Sequence, residues 1–170
     1  EKLPAFGLPA LGRYMRTMLA PYDFEGVHIT PATKGFSRST TFAVKGVDFV
    51  VEEVGPGHTD GDAIVHVPSR RVVYAGDILF VGVTPVIWAG PLENVVAGLR
   101  RVLALDVDVI VPGHGPLASR ADVERVIDYW EHVYGALERC HRQGIPADEA
   151  AGLVLRSADF RSRPWARWDA

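Results

Sequence analysis

Between Gly55 and Asp77 the chain reads GPGHTDGDAIVHVPSRRVVYAGD. The first eight of these residues are mostly glycines and turn formers, and they predict a loop. Two apolar runs rich in β-branched residues follow, Ala63–Val67 and residues 71–75, with Pro-Ser-Arg between them. The pattern predicts a tight antiparallel hairpin, in which the loop that enters the first strand lies beside the end of the second.

Regular structure is predicted on both sides of this hairpin. Upstream, an amphipathic helix is indicated by apolar residues at helical spacing: Leu8, Leu11, Met15, Met18 and Leu19. Further strands are predicted at 27–30, 40–44 and 47–54. Downstream we expect a helix over 92–105, a strand over 107–111, a long helix opened by a Ser119–Asp122 capping box, and a helix over 146–155. The chain is therefore of the α/β class, in its layered α+β form.

Three residues near the ends of these strands are expected to meet. His58 lies in the loop that enters the hairpin, Asp77 follows its exit, and His114 follows the strand at 107–111. The helix over 92–105 would join its two flanking strands by a right-handed parallel crossover, which brings both strand ends to one edge of the sheet. Open α/β sheets commonly build their sites at such an edge.

Two imidazoles and one carboxylate suit zinc or a similar borderline cation. A ligating imidazole also needs a carboxylate or carbonyl on its second nitrogen, and Thr59, Asp60 and Asp62 are candidates for that second shell. Purely structural roles remain open for two of these residues. His58 could be a loop histidine bonded to backbone carbonyls, and Asp77 could cap a turn.

The loop after Asp77 carries Phe80, Ile87 and Trp88, which could wall an apolar substrate pocket or could serve packing alone. His132 and His141 fall off the apolar stripe of the long helix and are expected to be solvated. His28 is expected to be structural, and His66 to face solvent or a partner layer. Cys140 lies on the apolar stripe of the long helix and is expected in the core.

Composition gives no support for several classes of protein. The formal charge of -3 gives no basic footprint, so we expect no nucleic-acid partner. No apolar run approaches the length of about 20 residues that crosses a bilayer, so we expect no membrane partner. One cysteine cannot form an internal disulfide, and no signal peptide is visible, which favours a cytoplasmic location. The chain does not begin with methionine, so residue 1 is expected to follow a cleavage or to lie inside a longer gene product.

Three segments, taken together, resemble a known family. GPGHTDGD at 55–62, YAGD at 74–77 and VPGHG at 111–115 are similar, in order and spacing, to the second-half motifs of the metallo-β-lactamase superfamily. The similarity covers most of residues 26–140. It implies a metallo-β-lactamase-like αβ/βα sandwich of two mixed sheets flanked by helices, with the metal at the sheet edge.

The resemblance also implies a chemistry. His58 would bind a first metal, His114 a second, and Asp77 would bridge the two or bind the second. Two zinc ions are implied for the complete enzyme, with iron or manganese as alternatives, and no catalytic residue is expected beyond the metal ligands. A hydrolase would follow, in which a metal-activated water attacks an ester, thioester, lactone or lactam, a small-molecule substrate.

The sequence also departs from the family pattern at two places. The first-half motif His-x-His-x-Asp-His is absent, because His28 stands alone, and Asp60 stands where the family often has proline. The chain is therefore expected to be a fragment, a single domain over 1–170 that supplies mainly the carboxy-terminal half of the fold. Within it, residues 1–25 form a helical lead-in, and the aromatic residues of 157–170 suggest a docking tail.

A site that lacks the first-half motif would bind metal weakly by itself. The missing amino-terminal half or a homodimer would then complete the molecule. The alternative is a non-catalytic half-domain that associates with itself or with a partner, because removing half of a sandwich exposes apolar sheet faces.

Overall fold

The structure, a computed structural model, describes residues 9–168 and falls into two compact units, Glu1–Gly35 and Phe36–Ala170. In the first unit the predicted helix is present as α1, Pro9–Leu19; Leu8 lies outside the described residues. The predicted strand at 27–30 is wrong, since these residues adopt no regular structure. A strand needs a partner for its backbone groups, and no described segment pairs with this one.

The second unit is built on one mixed five-stranded sheet. Its strands are β1 (Ser39–Val44), β2 (Val47–Glu53), β3 (Ala63–Val67), β4 (Val72–Phe80) and β5 (Val109–His114), in that spatial order. The first four pair antiparallel, and β5 pairs parallel with β4. Lys45 and Gly46 join β1 to β2 with φ of 48° and 77°, as a two-residue hairpin turn requires. The predicted hairpin, β3–β4, is present.

The helices of this unit are α2 (Leu92–Ala104), α3 (Arg120–Arg142), α4 (Ala147–Arg156) and α5 (Ala158–Ser162). The predicted capping box opens α3: the Ser119 hydroxyl accepts from the Asp122 amide at 3.2 Å, and the Asp122 carboxylate accepts from the Ser119 amide at 2.9 Å. The order β4–α2–β5 is the predicted parallel crossover. No helix within residues 9–168 is long and apolar enough to cross a membrane.

One face of the sheet packs against α2 and α3. Val73 and Ala75 of β4 alternate with Val72 and Tyr74, so only the first pair faces the helices. The main core consists of these residues and others that are likewise buried: Ile64, Ile78, Leu79, Val95, Leu99, Val102, Ile110, Val123 and Val126. This core holds the strands and the crossover helix in place.

The opposite face, which we name the open sheet face, is apolar as well. By strand register it carries Phe42, Val44, Phe49, Val72 and Tyr74. Phe42 and Phe49 stack with their ring centroids 5.3 Å apart. Phe42, Val44 and Tyr74 are nevertheless 49%, 49% and 46% exposed. A soluble protein rarely leaves so many large apolar side chains in water on one surface.

The carboxy-terminal segment packs on α3. Phe160 and Trp165 are buried with Tyr129 in a second apolar cluster, where Tyr129 and Trp165 meet edge to face at 5.9 Å. His132 was expected to be solvated, and this is wrong: its side chain is only 8% exposed, next to Asp159. The segment that begins at α5 covers it. The docking-tail prediction for 157–170 stays a prediction, and residues 169–170 lie outside the described part of the chain.

Two strand ends differ from prediction. Strand β4 continues to Phe80, so that Asp77 lies within it and does not follow it. Strand β5 runs from Val109 through Pro112 to His114, whereas a strand over 107–111 was predicted. Proline is tolerated there because β5 is an edge strand, where one row of backbone groups needs no partner. The pairing of β4 with β5 shifts register between Gly76 and Phe80.

Candidate metal centre

The three predicted ligands lie together in the structure. His58 is in the loop between β2 and β3, Asp77 is inside β4, and His114 is the last residue of β5. The Nε2 atom of His58 is 3.4 Å from Oδ2 of Asp77, and the Nε2 atom of His114 is 3.6 Å from Oδ1. The two imidazoles therefore face different oxygens of the same carboxylate.

This approach depends on Gly113, the residue before His114. A Cβ at Gly113 would lie 2.0 Å from Oδ1 of Asp77 and 2.8 Å from the carbonyl carbon and oxygen of Gly76. Only glycine lets β5 come this close to β4. Beyond the register shift, Phe80 pairs with His114, and the Val81 amide donates to the His114 carbonyl at 2.9 Å.

The Nδ1 atom of His58 lies 2.8 Å from the carbonyl oxygen of Val86. A carbonyl can only accept, so Nδ1 carries a proton, and Nε2 is the ring nitrogen that faces Asp77. The second-shell partner of His58 is thus a backbone carbonyl 28 residues away, which leaves no signal in a side-chain motif.

Thr59 and Asp62, two of the residues expected in this role, are bonded to each other, and their second-shell role stays a prediction. Asp62 accepts hydrogen bonds from the Thr59 amide at 3.0 Å and from the Thr59 hydroxyl at 2.6 Å. These bonds brace the His58 loop from within. The other expected residue, Asp60, is exposed.

The loop between β4 and α2 is bound to the His58 loop along its backbone. The Trp88 amide donates to the His58 carbonyl at 3.1 Å, and the amides of Ala89 and Gly90 donate to the Gly57 carbonyl at 3.2 and 2.8 Å. Hydrogen bonds to this loop therefore fix both the ring and the main chain of His58.

The three residues predicted as a substrate wall differ in position. Phe80 is buried; its ring stacks on His114 at 4.5 Å between centroids, nearly parallel, and lies 5.7 Å from the His58 ring. Ile87 packs against the main core. Trp88 is 63% exposed. Of the three, Trp88 alone offers a large open surface, and the substrate-wall role stays a prediction.

Two imidazoles and a carboxylate are donors of the kind that zinc and similar borderline cations accept. Without a cation, the Nε2 lone pair of His58 would face a carboxylate oxygen, and 3.4 Å is long for a hydrogen bond if the ring were doubly protonated. Ligand atoms about 2.0–2.1 Å from a tetrahedral zinc lie about 3.3–3.4 Å apart, close to the two distances here. Among the residues described, no group of three or more His, Cys, Asp or Glu could hold one ion. Further ligands would therefore be needed for His58, Asp77 and His114 to hold a cation.

The resolved pKa shifts belong to hydrogen-bonded carboxylates and arginines away from these ligands. Arg71, at the start of β4, donates to Asp108 at 2.8 Å and to Asp106 at 2.7 Å, and it lowers the pKa of both carboxyls. These bonds tie the start of β4 to the segment that enters β5. The pairs are exposed, so they add little to stability.

Known proteins share this architecture. The family model of the metallo-beta-lactamase superfamily matches residues 14–114, more than half of the chain. The chain is 29% identical over 141 residues to the 2,4-dinitroanisole O-demethylase subunit alpha of a Nocardioides species, covering 79% of this chain and 42% of that relative. It is 25% identical over 111 residues to the beta-lactamase-like protein 2 homolog of Caenorhabditis elegans, covering 65% of this chain and 37% of that relative.

Solved structures show the same fold. An inverting sec-alkylsulfatase from a Pseudomonas species superposes with a TM-score of 0.62 at 14% identity, over 77% of this chain and 23% of its own. A metallo-beta-lactamase family protein from Thermus thermophilus gives 0.57 at 21% identity, over 76% of this chain and 48% of its own. The chain thus spans less than half the length of each of these four proteins. The expectation from its motifs is confirmed: this chain belongs to the metallo-β-lactamase superfamily.

Proposed function

We propose that the chain supplies three ligands, His58, Asp77 and His114, of a two-cation centre in a metal-dependent hydrolase, with zinc as the cation. The observation that carries the proposal is the placement of His58 and His114 on the two oxygens of Asp77. His58, Asp77 and His114 would be the residues of this chain that hold the cations, since imidazole and carboxylate are ligands of borderline cations. The proposed substrates are esters, thioesters, lactones or lactams.

Bound at these residues, the cations would supply Lewis acidity and an activated water. The chain's own groups do the positioning. The Val86 carbonyl fixes the orientation of the His58 ring so that Nε2 faces Asp77, while Phe80 holds the ring of His114 by stacking. Gly113 allows Asp77 to lie between the two rings. Ligands held in place before the cation binds lose little conformational freedom on binding.

The remaining ligands are proposed to come from outside residues 9–168. The chain spans 42% of the Nocardioides relative, which is by its name one subunit of an O-demethylase. A further segment of the same protein, or a partner subunit, would then complete the site.

Elemental analysis of the purified full-length protein tests this proposal. We expect two cations per chain after growth with zinc, and the same measurement distinguishes iron and manganese. His58→Ala and His114→Ala should each lose at least one cation, while His141→Ala, an exposed histidine of α3, should lose none. Full cation content in both ligand variants would refute the proposed centre.

The open sheet face favours a second candidate function, that of a half-domain which associates with itself or with a partner. Phe42, Val44 and Tyr74 form an exposed apolar patch on one face of the sheet. Sedimentation of the 170-residue chain tests this candidate. A concentration-dependent increase in mass, reversed by Phe42→Ser, is expected; a well-behaved monomer would contradict it.

A further inference from the structure

A cleft of about 270 Å³ lies where α3, α4 and the start of α5 meet. Pockets for small molecules have volumes of roughly 300–1000 Å³, so this cleft suits a molecule near the small end of that range. One side of it, which we name the apolar wall, consists of Ala136, Leu153 and Val154. Its polar lining includes His132, Arg139, Cys140 and Asp159. None of the three proposed metal ligands lines this cleft.

His132 places an imidazole without a hydrogen-bond partner in the lining of the cleft. Its side chain is only 8% exposed, so more than nine-tenths of it is buried. The Nδ1 atom lies 3.7 Å from Oδ2 of Asp159, which is too far for a hydrogen bond. Within residues 9–168 nothing else bonds to the ring nitrogens. A largely buried polar group is costly to leave unpaired, which favours a ligand that accepts a hydrogen bond from this ring.

Arg139 brings a guanidinium to the same part of the cleft. It follows His132 by seven residues, about two helical turns, so both lie on one face of α3. Its side chain folds back along the helix, because Nη1 lies 3.5 Å from the position that a Cβ on Gly135 would take. Gly135 is only three residues from His132. In the described part of the chain, Arg139 has no ion-pair partner.

The charges of the lining favour a ligand with one negative charge. The carboxylate of Asp159 already accepts a hydrogen bond from Arg163 at 3.2 Å, whereas the guanidinium of Arg139 is left for a ligand. A guanidinium can bind a carboxylate through two parallel hydrogen bonds that are stronger than neutral ones. We propose that the cleft binds a small organic monocarboxylate, with its carboxylate at Arg139 and His132 and its apolar body on the apolar wall. This site goes beyond the proposed function, because it uses none of the proposed metal ligands.

Calorimetric titration of the full-length protein tests the inference. The probes are benzoate and benzamide, its neutral analogue of nearly the same shape. We expect benzoate to bind at least about tenfold more tightly, a difference of about 1.4 kcal/mol. Equal binding of the two probes, or no binding of benzoate, would overturn the inference.

Variants locate the carboxylate within the cleft. Arg139→Gln should weaken benzoate binding at least about tenfold, because a charge-assisted hydrogen bond is lost, and should leave benzamide binding unchanged. His132→Phe, which keeps a ring of similar size, should weaken benzoate binding roughly two- to tenfold. Arg142→Gln is the matched control and should change nothing, since Arg142 lies on the same helix but pairs with Glu138 at 3.4 Å. Unchanged benzoate affinity in Arg139→Gln would contradict the proposed site.

Alkylation of Cys140 gives a second readout, because this thiol lines the cleft. The rate is measured with iodoacetamide, and the modified peptide is identified by mass spectrometry. Benzoate at ten times its dissociation constant should slow the reaction roughly tenfold, since only about one site in ten then remains empty. A rate that benzoate does not change would place the ligand elsewhere and refute the inference.

A carboxylate can also bind zinc, so the titration is repeated with His58→Ala and His114→Ala. We expect both variants to keep the benzoate affinity of the unmodified protein. If these two variants lose the affinity while Arg139→Gln keeps it, benzoate binds at the metal centre. That result would refute the carboxylate cleft and would support the proposed function, so the two proposals fail separately.

Discussion

Replacing Gly113 by alanine is the most direct test of how the ligands are brought together. The added Cβ would lie 2.0 Å from Oδ1 of Asp77, and real Cβ contacts essentially never fall below 3.0 Å. Something must therefore move by at least 1.0 Å, the difference between these two distances. The second clash, 2.8 Å to the Gly76 carbonyl, involves backbone and cannot be relieved by a side-chain rotation.

The size of the effect follows from that displacement. Oδ1 of Asp77 is the oxygen that faces His114, so we expect the second cation to be lost or bound far more weakly. A misplacement of about 1 Å at a reacting site costs roughly 100-fold in rate. Overpacking between β4 and β5 should also lower the free energy of unfolding by about 1–3 kcal/mol.

The assay combines zinc stoichiometry by elemental analysis with urea unfolding of the full-length protein. Gly61→Ala is the matched control, because it lies in the His58 loop, its Cβ would meet nothing within 4 Å, and its φ is not positive. If Gly113→Ala keeps both cations, the proposed coupling of Gly113 to Asp77 is refuted. A loss of stability with full cation content would show that the strands separate without disturbing the ligands.

Three further predictions concern stability. Arg101 lowers the pKa of Glu52 below its ordinary value of 4.5. The pair therefore stabilises the fold above about pH 4.5, and this contribution is lost as the pH falls through the lowered pKa. The free energy of unfolding of Glu52→Gln should approach that of the unmodified protein at acid pH, and a constant difference from about pH 3 to 6 would contradict this. Ser119→Ala should cost about 1 kcal/mol in urea unfolding, because the Asp122 amide loses its cap, and no change would refute the capping role. Leu99→Ala, at a fully buried position, should cost about 2–5 kcal/mol, whereas a cost under about 1 kcal/mol would mean that α2 does not anchor the core.

Local pattern predicted much of the secondary structure. The hairpin β3–β4 follows from two β-branched runs around a short turn, and α3 begins at the capping box that its sequence contains. Strand pairing was less predictable. Residues 27–30 have a strand-like composition but no described partner, whereas β4 extends to Phe80 because β5 pairs beside it. Pairing is a long-range property that composition does not reveal.

The burial of a histidine also depended on long-range contacts that local pattern does not reveal. His132 lies off the apolar stripe of α3, and helical periodicity alone places it in water. The structure covers it with α5, where Asp159 and Phe160 lie next to its ring. A segment of chain folding back on the helix decided its environment.

The sequence by itself determined which side chains gather at the edge of the sheet. A glycine-rich loop, a hairpin and one crossover helix suffice to bring His58, Asp77 and His114 together, since short connections leave few alternatives. Only the tertiary structure decided how they face one another: that Asp77 turns one oxygen to each ring, that Gly113 makes room for it, and that the Val86 carbonyl orients His58. These contacts depend on backbone atoms and on a register shift between strands, neither of which has a side-chain signature.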